Sequence, residues 1–480
     1  MNTSSIRVRF APSPTGLMHI GNVRTALMNY LFALQKNGAF VLRIEDTDPE
    51  RNFDPEAKHI LADLAWLSLQ HSEGPDVGGD YGPYFQSQRM DIYKKALDQL
   101  IEKQAVYRCF CTTDELEKKR QRQISLRMAP RYDRTCMKLS QQEIQKKLDA
   151  GMPFIWRMKL DHDKTVRIND IARKVMKFEL KNFSDFPLTR QNGSYTFMFA
   201  NFVDDMSMKM SHVLRGEDHA TNTAGQAALY EAVDAPIPTF WHLPILCDIH
   251  GKKLSKRDFG FSLKDLKAAG YLPEAICNYL AIIGGSFEQE IMSLEQLAQT
   301  LNFDETHTRG QIKFDADKLK WINRKWIAQY DTKKITELCL PFLLKEVPEA
   351  KNLEKEKLVT LVGMVQTDLV VLPDIVNALR FYFVAPDVSA VKLNSILEKP
   401  VLQNVATVVS EKLEQITNPD QFLNSVKTTA KNSGIPLKAL YSFLRFALMG
   451  TTKGPGIGEL ITMLGEQEAK QRLQQALKEI

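Results

Sequence analysis

The 480-residue sequence predicts an α/β protein with an open parallel sheet in its first half and an all-α C-terminal region. Three observations predict this fold class. A strand, a tight turn and a helix open the chain, and further strand and helix patterns alternate to about residue 255. A segment of different character interrupts them from about 90 to 195, and helical periodicity dominates from about 260 onward. The sheet is therefore predicted to be Rossmann-like, with an α+β insertion.

The first strand leads into a turn suited to an anion. Apolar residues alternate over residues 6–10, and the run PSPTG then stops the strand, because proline lacks a backbone donor and glycine permits positive φ. A helix is predicted after Gly21, with one apolar face made of Val23, Leu27, Tyr30, Leu31 and Leu34. Amides at the start of this helix would face an anion beside His19 and Asn22. The alternative is an ordinary βα unit with a structural histidine.

A second strand over residues 40–44 ends in the acidic cluster Glu45, Asp46 and Asp48. Open α/β sheets bind ligands at such carboxyl ends. Alternatively, Asp46 or Asp48 only caps the following helix. A helix after Pro55, a loop over residues 74–83 and a helix over about 88–103 complete the first part.

The interrupting segment contains cysteines and many basic residues. Cys109 and Cys111 precede the basic stretch, Cys136 follows it, and residues 153–160 and 175–190 are strand-like. The basic residues are Lys118, Lys119, Arg120, Arg122, Arg127, Arg131 and Arg134.

The alternating pattern returns over residues 197–205 and 210–218. A helix is predicted at about 222–232, a strand at 241–246, and an exposed basic loop at 251–257. The strongest helical patterns beyond it cover residues 271–283, 354–379, 401–416 and 437–449.

Net charge, hydropathy and cysteine content limit the partners and the cellular location that we expect for this protein. The net charge of +5 is compatible with a nucleic-acid partner. No apolar run is long enough to cross a bilayer and the first residues lack a signal-peptide core, so a cytoplasmic protein without a membrane partner is expected. Six cysteines in a chain of this length do not suggest a disulfide framework.

Two motifs about 230 residues apart indicate the chemistry: HIGN, at the helix start, and KLSKR at residues 253–257. A helix start and a loop with three positive charges can clamp a triphosphate from two sides, stabilising the charge that develops at an α-phosphate. Lys256 carries a point charge on a flexible stem, which suits a departing pyrophosphate. KLSKR alone would more simply be a solvated basic loop.

The segments RFAPSPTG, HIGN, LRIEDTD, FANFVDD, VLRGED and KLSKR together resemble the bacterial glutamyl-tRNA synthetases, which are class I aminoacyl-tRNA synthetases. HIGN and KLSKR correspond to the class I HIGH and KMSKS motifs, and Ser13 and Thr15 are similar to the glutamyl rather than the glutaminyl enzymes. The resemblance extends to LRFALMG and GPGIGELITMLG near the C-terminus. It implies activation of L-glutamate by ATP to glutamyl-adenylate, a step that requires bound tRNA, followed by transfer to the 3′ end of tRNA(Glu).

The resemblance also assigns site residues. The catalytic residues would be His19 and Lys256. ATP would be bound, with Mg²⁺ on its phosphates, by His19, Gly21, Asn22, Lys253, Ser255 and Lys256. Glutamate would be bound by Arg9, Ala11, Ser13, Glu45, Phe197, Asn201 and Arg215. An arginine suits the γ-carboxylate, and both Arg9 and Arg215 remain candidates.

Three positions depart from the family pattern. Asn22 ends the HIGH motif, and Phe197 replaces a tyrosine and so lacks its hydroxyl. Some members bind Zn²⁺ through a Cys-x-Cys and a Cys-x-His pair, but here Lys138 stands in the last position and cannot bind zinc. Cys109, Cys111, Cys136 and Tyr132 form the candidate zinc site, and the alternative is three free thiols.

The predicted division has four parts. Residues 1–90 and 196–255 form the catalytic domain, and residues 91–195 the insertion that meets the tRNA acceptor end. Residues 256–330 hold the KLSKR loop and a stem-contact helical region, and residues 331–480 bind the anticodon. A monomer is expected.

Two alternatives are enzymes of neighbouring classes. A small-molecule nucleotidyltransferase with a HIGH motif would not need the long helical region, and a glutaminyl-tRNA synthetase would have a β-barrel there. A truncated paralogue that modifies a tRNA base is excluded by length, and a paralogue that only binds would be expected to lose His19 or Lys256.

Overall fold

A computed structural model describes residues 6–48, 50, 52–248, 250–252, 254, 262–303 and 311–480. The chain divides into two compact units. The first comprises Met1–Leu266 and Ile276–Asp315, and the second Lys267–Ala275 and Ala316–Ile480. None of the described helices combines the length and the apolar character that a membrane span requires.

Strands and helices alternate in the part of the chain that ends at residue 315. In chain order they are β1 (Arg7–Phe10), α1 (Ile20–Gln35), β2 (Ala39–Leu42), α2 (Lys58–Trp66), α3 (Met90–Glu102), β3 (Val106–Cys109), α4 (Thr113–Ser125), α5 (Gln141–Asp149), β4 (Ile155–Met158), β5 (Thr165–Asp170), β6 (Lys174–Glu179), α6 (Phe197–Ser207), β7 (His212–Gly216), α7 (Ala220–Ala232), β8 (Thr239–Leu243), β9 (Leu246–Cys247), α8 (Leu263–Ala268), α9 (Pro273–Ile282), α10 (Leu294–Thr300) and β10 (Ile312–Lys313).

The remainder is helical. Its α-helices are α11 (Ala316–Gln329), α12 (Thr332–Glu346), α13 (Lys355–Val365), α14 (Asp374–Phe383), α15 (Ala390–Asn394), α16 (Lys399–Lys412), α17 (Pro419–Asn432), α18 (Leu437–Met449), α19 (Ile457–Leu464) and α20 (Glu466–Lys478). Every residue from 316 to 480 is described and none of them forms a strand, so the predicted all-α C-terminal region is confirmed.

The central sheet is mixed. β1 pairs with β2 and β7 pairs with β8, both in parallel, while β5 is parallel to β8 at Asp170↔Phe240 and antiparallel to β6. The start of β7 also lies beside β1, because the Ser211 amide donates to the Arg7 carbonyl at 3.1 Å. The predicted α/β class with parallel strands is confirmed, and the β5–β6 hairpin supplies the antiparallel edge.

The first helix is buried on more sides than predicted. Val23, Leu27 and Leu31 are buried as expected, but Leu34 is 38% exposed. Met28 and Phe32, which lie outside that face, are also buried, so the prediction of a single apolar face was wrong. The cause is a second neighbour: α1 packs on the sheet and also on α10, where the Gln35 amide donates to the Ala298 and Leu301 carbonyls at 2.7 and 2.8 Å.

Two sequence patterns were interpreted incompletely. The strand-like segments 153–160 and 175–190 contain β4 and much of β6, but β5 was missed although Val166 and Ile168 are buried and alternate with exposed residues.

The single helical pattern predicted over residues 354–379 is two helices in the structure. Pro373 cannot donate a helical hydrogen bond, and the Asp374 carboxylate accepts from the Val370 and Val371 amides, both at 2.9 Å, so the chain turns.

Candidate active site

A cavity of about 380 Å³ lies where β1, β7 and β8 end and α1 begins. All the described residues that were predicted to bind glutamate or ATP line this cavity. They are Arg9, Ala11, Ser13, Glu45, Phe197, Asn201, Arg215, His19, Gly21 and Asn22. Leu254 also lines it. Lys253, Ser255, Lys256 and Arg257 lie outside the described residues, so their roles stay predictions.

The turn before α1 holds His19 in one orientation. His19 caps the helix, and its Nδ1 accepts a hydrogen bond from the Gly21 amide at 3.1 Å. A neutral imidazole that accepts at Nδ1 carries its proton on Nε2. The positive φ expected of the turn glycine is confirmed, because Gly16 has a φ of +145°. This arrangement presents a donor and the helix start on one side of the cavity, as anion binding requires.

Buried charges support the opposite wall. Arg9 donates through Nε and Nη2 to both carboxylate oxygens of Asp205, at 2.9 and 3.1 Å. Arg43 donates to Asp205 at 2.7 Å and to Glu45 at 3.1 Å. Burial by itself raises the pKa of Asp205, but Arg9 and Arg43 outweigh it and hold that pKa below its usual value. Asp205 therefore stays ionised and fixes Arg9.

Glu45 is buried beside this pair. Burial raises its pKa, and Arg43 and the Asn201 amide, which donates to Oε1 at 2.7 Å, oppose that shift. The Asn201 carbonyl oxygen in turn accepts from Gln226 at 2.8 Å. A cation brought to Glu45 would favour its charged form, so the site suits an ammonium group.

Arg215 lines the cavity and has guanidinium nitrogens without a hydrogen-bond partner among the described residues. Its Nη2 donates to Thr223 Oγ1 at 2.7 Å, and its Cζ lies 5.3 Å from the centre of the Phe240 ring. Nε and Nη1 are buried and have no hydrogen-bond partner among the described residues. Burial, reinforced by the charge of Arg9, lowers the pKa of Arg215 to about 9. A buried cation with two unpaired donors is costly unless an anion joins it.

Asp46 does not cap the next helix, so that alternative was wrong for this residue. Its carboxylate accepts from the Ser87 amide at 2.8 Å and from the Ser87 hydroxyl at 2.6 Å, and it thereby fixes the chain ahead of α3. The start of α2 is bound by Asp54 instead, whose carboxylate accepts from the Lys58 and His59 amides at 3.0 and 2.7 Å.

Sequence reasoning gave no role to Arg43, Asp205 or Thr223. Arg43 and Asp205 lie inside the quoted motifs LRIEDTD and FANFVDD, so motif membership was an available signal. Thr223 lies just beyond VLRGED, and only the fold brings it to Arg215.

A second cluster joins the four candidate zinc ligands. The three thiol sulfurs lie within 4.8 Å of one another. The Tyr132 hydroxyl is 3.3 Å from the Cys109 sulfur and 3.6 Å from that of Cys111, and Cys111 and Cys136 are 3.6 Å apart. Zinc–sulfur bonds of about 2.3 Å place the sulfurs of a tetrahedral site about 3.8 Å apart, so this donor set fits a zinc ion.

The fold and the cavity agree with the comparisons with known proteins. Residues 5–321 match the family model "tRNA synthetases class I (E and Q), catalytic domain", and residues 334–477 match "Anticodon binding domain". The chain thus has the architecture of a class I aminoacyl-tRNA synthetase of the glutamate and glutamine branch.

Sequence relatives distinguish between the glutamate and glutamine enzymes of this class. Glutamate–tRNA ligases of Bacillus licheniformis and Bacillus subtilis are 38% and 37% identical, each over 98% of this chain and 99% of the relative. The chain belongs to the glutamate–tRNA ligase family. A crystal structure of the glutamate tRNA ligase from Elizabethkingia meningosepticum, in complex with its amino acid, superimposes with a TM-score of 0.88 at 31% identity over 99% of both chains.

Proposed function

We propose that this chain ligates L-glutamate to the 3′ end of tRNA(Glu) through a glutamyl-adenylate, and that the 380 Å³ cavity is where the adenylate forms. The observation that carries the proposal is Arg215, a buried cation with two unpaired donors in a cavity that also contains the HIGN turn. A carboxylate-bearing substrate beside a nucleotide satisfies both features.

The groups of glutamate have distinct partners in this assignment. The α-carboxylate must face the α-phosphate of ATP and therefore lies toward His19, while Glu45 receives the ammonium group. The γ-carboxylate accepts from the guanidinium of Arg215, which lines the cavity, whereas Arg9 is committed to Asp205 and supports the wall. Ala11, Ser13, Phe197 and Asn201 complete the amino-acid pocket.

ATP lies at the start of α1. His19, Gly21 and Asn22 contact it on that side, and Lys253, Ser255 and Lys256 bind its phosphates, with Mg²⁺ neutralising further phosphate charge. The glutamate α-carboxylate attacks the α-phosphate and pyrophosphate leaves, after which the terminal ribose hydroxyl of tRNA attacks the mixed anhydride. No protein side chain becomes a covalent nucleophile. The rate derives from positioning and from charge stabilisation in the transition state.

The other regions bind tRNA. Residues 91–195 meet the acceptor end, because the exposed α4 carries basic residues that suit phosphate contacts. Residues 256–330 contact the stem, and residues 331–480 read the anticodon. The chain acts as a cytoplasmic monomer in this proposal.

ATP–pyrophosphate exchange tests the function. We expect exchange to require both glutamate and tRNA, whereas a small-molecule nucleotidyltransferase would exchange without tRNA. Lys256→Ala is expected to lower the exchange rate about a hundredfold, because it removes one preorganised charge from the transition state, and to leave tRNA binding within about twofold. The matched control is Lys58→Ala, because Lys58 is exposed in the catalytic domain and does not line the cavity. Equal losses in exchange and in tRNA binding for Lys256→Ala would reject its assigned role.

Zinc has a structural role in the same proposal. Cys109, Cys111, Cys136 and Tyr132 would hold one ion, and that ion would crosslink β3 to the segment before α5. Thiolate ligands are needed for this, and hydrogen bonds from Cys136 and Tyr132 lower the pKa of Cys109.

Metal analysis of the purified protein is expected to give about one zinc per chain. Cys111→Ser should lose the metal, because a serine hydroxyl is a weak zinc ligand. Cys339→Ser, which changes a buried thiol that is not part of the cluster, should retain it. Zinc-free protein from zinc-supplemented medium would show that the three thiols are free.

A further inference from the structure

A chain of buried hydrogen bonds reaches Arg215 from behind the cavity. It joins Asp170, at the end of β5, to His242 in β8, then to Thr223 in α7, and finally to Arg215 in β7. We propose that Asp170, His242 and Thr223 are positioning residues that hold Arg215 ready for the glutamate γ-carboxylate. This inference rests on the proposed function and assigns roles to three residues that touch no substrate.

All three distances in this series are hydrogen-bond distances, so the series runs without a break from Asp170 to Arg215. Asp170 Oδ2 lies 2.7 Å from His242 Nδ1, His242 Nε2 lies 2.8 Å from Thr223 Oγ1, and Arg215 Nη2 lies 2.7 Å from the same hydroxyl. All four residues are at most 6% exposed. Water therefore does not compete for these bonds, and each of them restricts its neighbour strongly.

The positions of the protons in this series of hydrogen bonds follow from its two ends, because a carboxylate only accepts and a guanidinium only donates. The Asp170 carboxylate only accepts, so His242 donates from Nδ1 and its Nε2 becomes an acceptor. The Thr223 hydroxyl then donates to Nε2 at 2.8 Å, which is nearer than its other acceptor, the His219 carbonyl at 3.2 Å, and its oxygen accepts from Arg215 Nη2. A neutral His242 fits this order: burial lowers its pKa, Asp170 opposes that effect, and the nearby Arg215 strengthens it.

Asp170, which begins this series of hydrogen bonds, is itself held in place. Asp170 Oδ1 accepts from the Ala172 and Arg173 amides at 3.0 and 2.8 Å, which ties the carboxylate to the turn between β5 and β6. The His242 amide also donates to Oδ2 at 3.2 Å. Asp170 thus has little freedom to follow a movement of His242, and the position of the hairpin is transmitted to Thr223.

The consequence concerns the donors of Arg215. Nη2 donates to Thr223, and Nε and Nη1 have no partner among the described residues, so the guanidinium keeps hydrogen-bonding capacity for an anionic substrate. Without the hydroxyl the guanidinium would be free to rotate, and glutamate binding would have to restrict it again. The loss should therefore fall on glutamate binding and not on ATP binding or on the chemical step.

Aminoacylation kinetics of Thr223→Val, which keeps the side-chain shape but lacks the hydroxyl, test the proposal. The KM for glutamate is expected to rise about tenfold or more, the typical effect of losing a hydrogen bond to a charged group. The kcat and the KM for ATP should stay within about threefold. Thr223→Ser restores the hydroxyl and should restore the KM. Thr336→Val removes a buried hydroxyl that donates to the Thr332 carbonyl, and it controls for general destabilisation.

A glutamate KM within about twofold of the parent value in Thr223→Val would overturn the positioning role. So would equal changes in Thr223→Val and Thr336→Val, or a failure of Thr223→Ser to restore the KM. These outcomes are distinct from failure of the proposed function, in which the parent enzyme itself would not charge tRNA with glutamate.

Discussion

Arg215→Met is expected to lower kcat/KM for glutamate about a thousandfold. Removing one member of a buried, hydrogen-bonded charge pair costs about 2–5 kcal/mol, and each tenfold change corresponds to about 1.4 kcal/mol. The binding energy that is lost is that of the glutamate γ-carboxylate, because Nε and Nη1 of Arg215 have no partner among the described residues. Aminoacylation rates at varied glutamate and saturating ATP and tRNA measure it.

The same variant should unfold at the parent temperature or above it in the absence of glutamate. Arg215 is 6% exposed, and among the described residues Nη2 alone of its nitrogens has a hydrogen-bond partner, so the free site holds a poorly compensated charge. Methionine fills similar space without that charge. Arg173→Met is the matched control, since Arg173 pairs with Glu217 at 2.6 Å and does not line the cavity.

Near-parental glutamate kinetics in Arg215→Met would transfer the carboxylate-binding role to Arg9. A lowered unfolding temperature together with lost activity would mean that Arg215 is a structural residue. Thermal unfolding and steady-state kinetics on the same preparation therefore distinguish a binding role from a structural one.

The sequence predicted the cavity well because its residues cluster in short motifs at strand ends. Arg9, Glu45 and Arg215 each follow from a strand pattern, and the fold brings them together. The choice between Arg9 and Arg215 was out of reach because it depends on Asp205, which is 196 residues from Arg9 in sequence. Long-range pairing of this kind leaves no local pattern.

The errors in secondary structure have a similar cause. Periodicity in α1 records an apolar face but not a second packing partner, and α10 begins more than 250 residues later. Residues 354–379 keep helical periodicity through the turn that Pro373 and Asp374 impose. In both cases tertiary contacts decided what the local pattern left open.

Discrimination against glutamine is the second large effect. A site built to donate to a carboxylate rejects an analogue that cannot accept equally, by about 10⁴-fold in favourable cases. The glutamine amide would direct its own N–H donors toward the unpaired donors of Arg215, leaving that charge buried and uncompensated. We therefore expect a preference for glutamate of at least about 10³-fold in kcat/KM.

Parallel charging of purified tRNA(Glu) with glutamate and with glutamine is the most direct test of the central claim that this cavity selects an acidic side chain. The account predicts ATP-dependent formation of glutamyl-tRNA, with glutaminyl-tRNA at background. Preferential transfer of glutamine, or equal transfer of both amino acids, would contradict it.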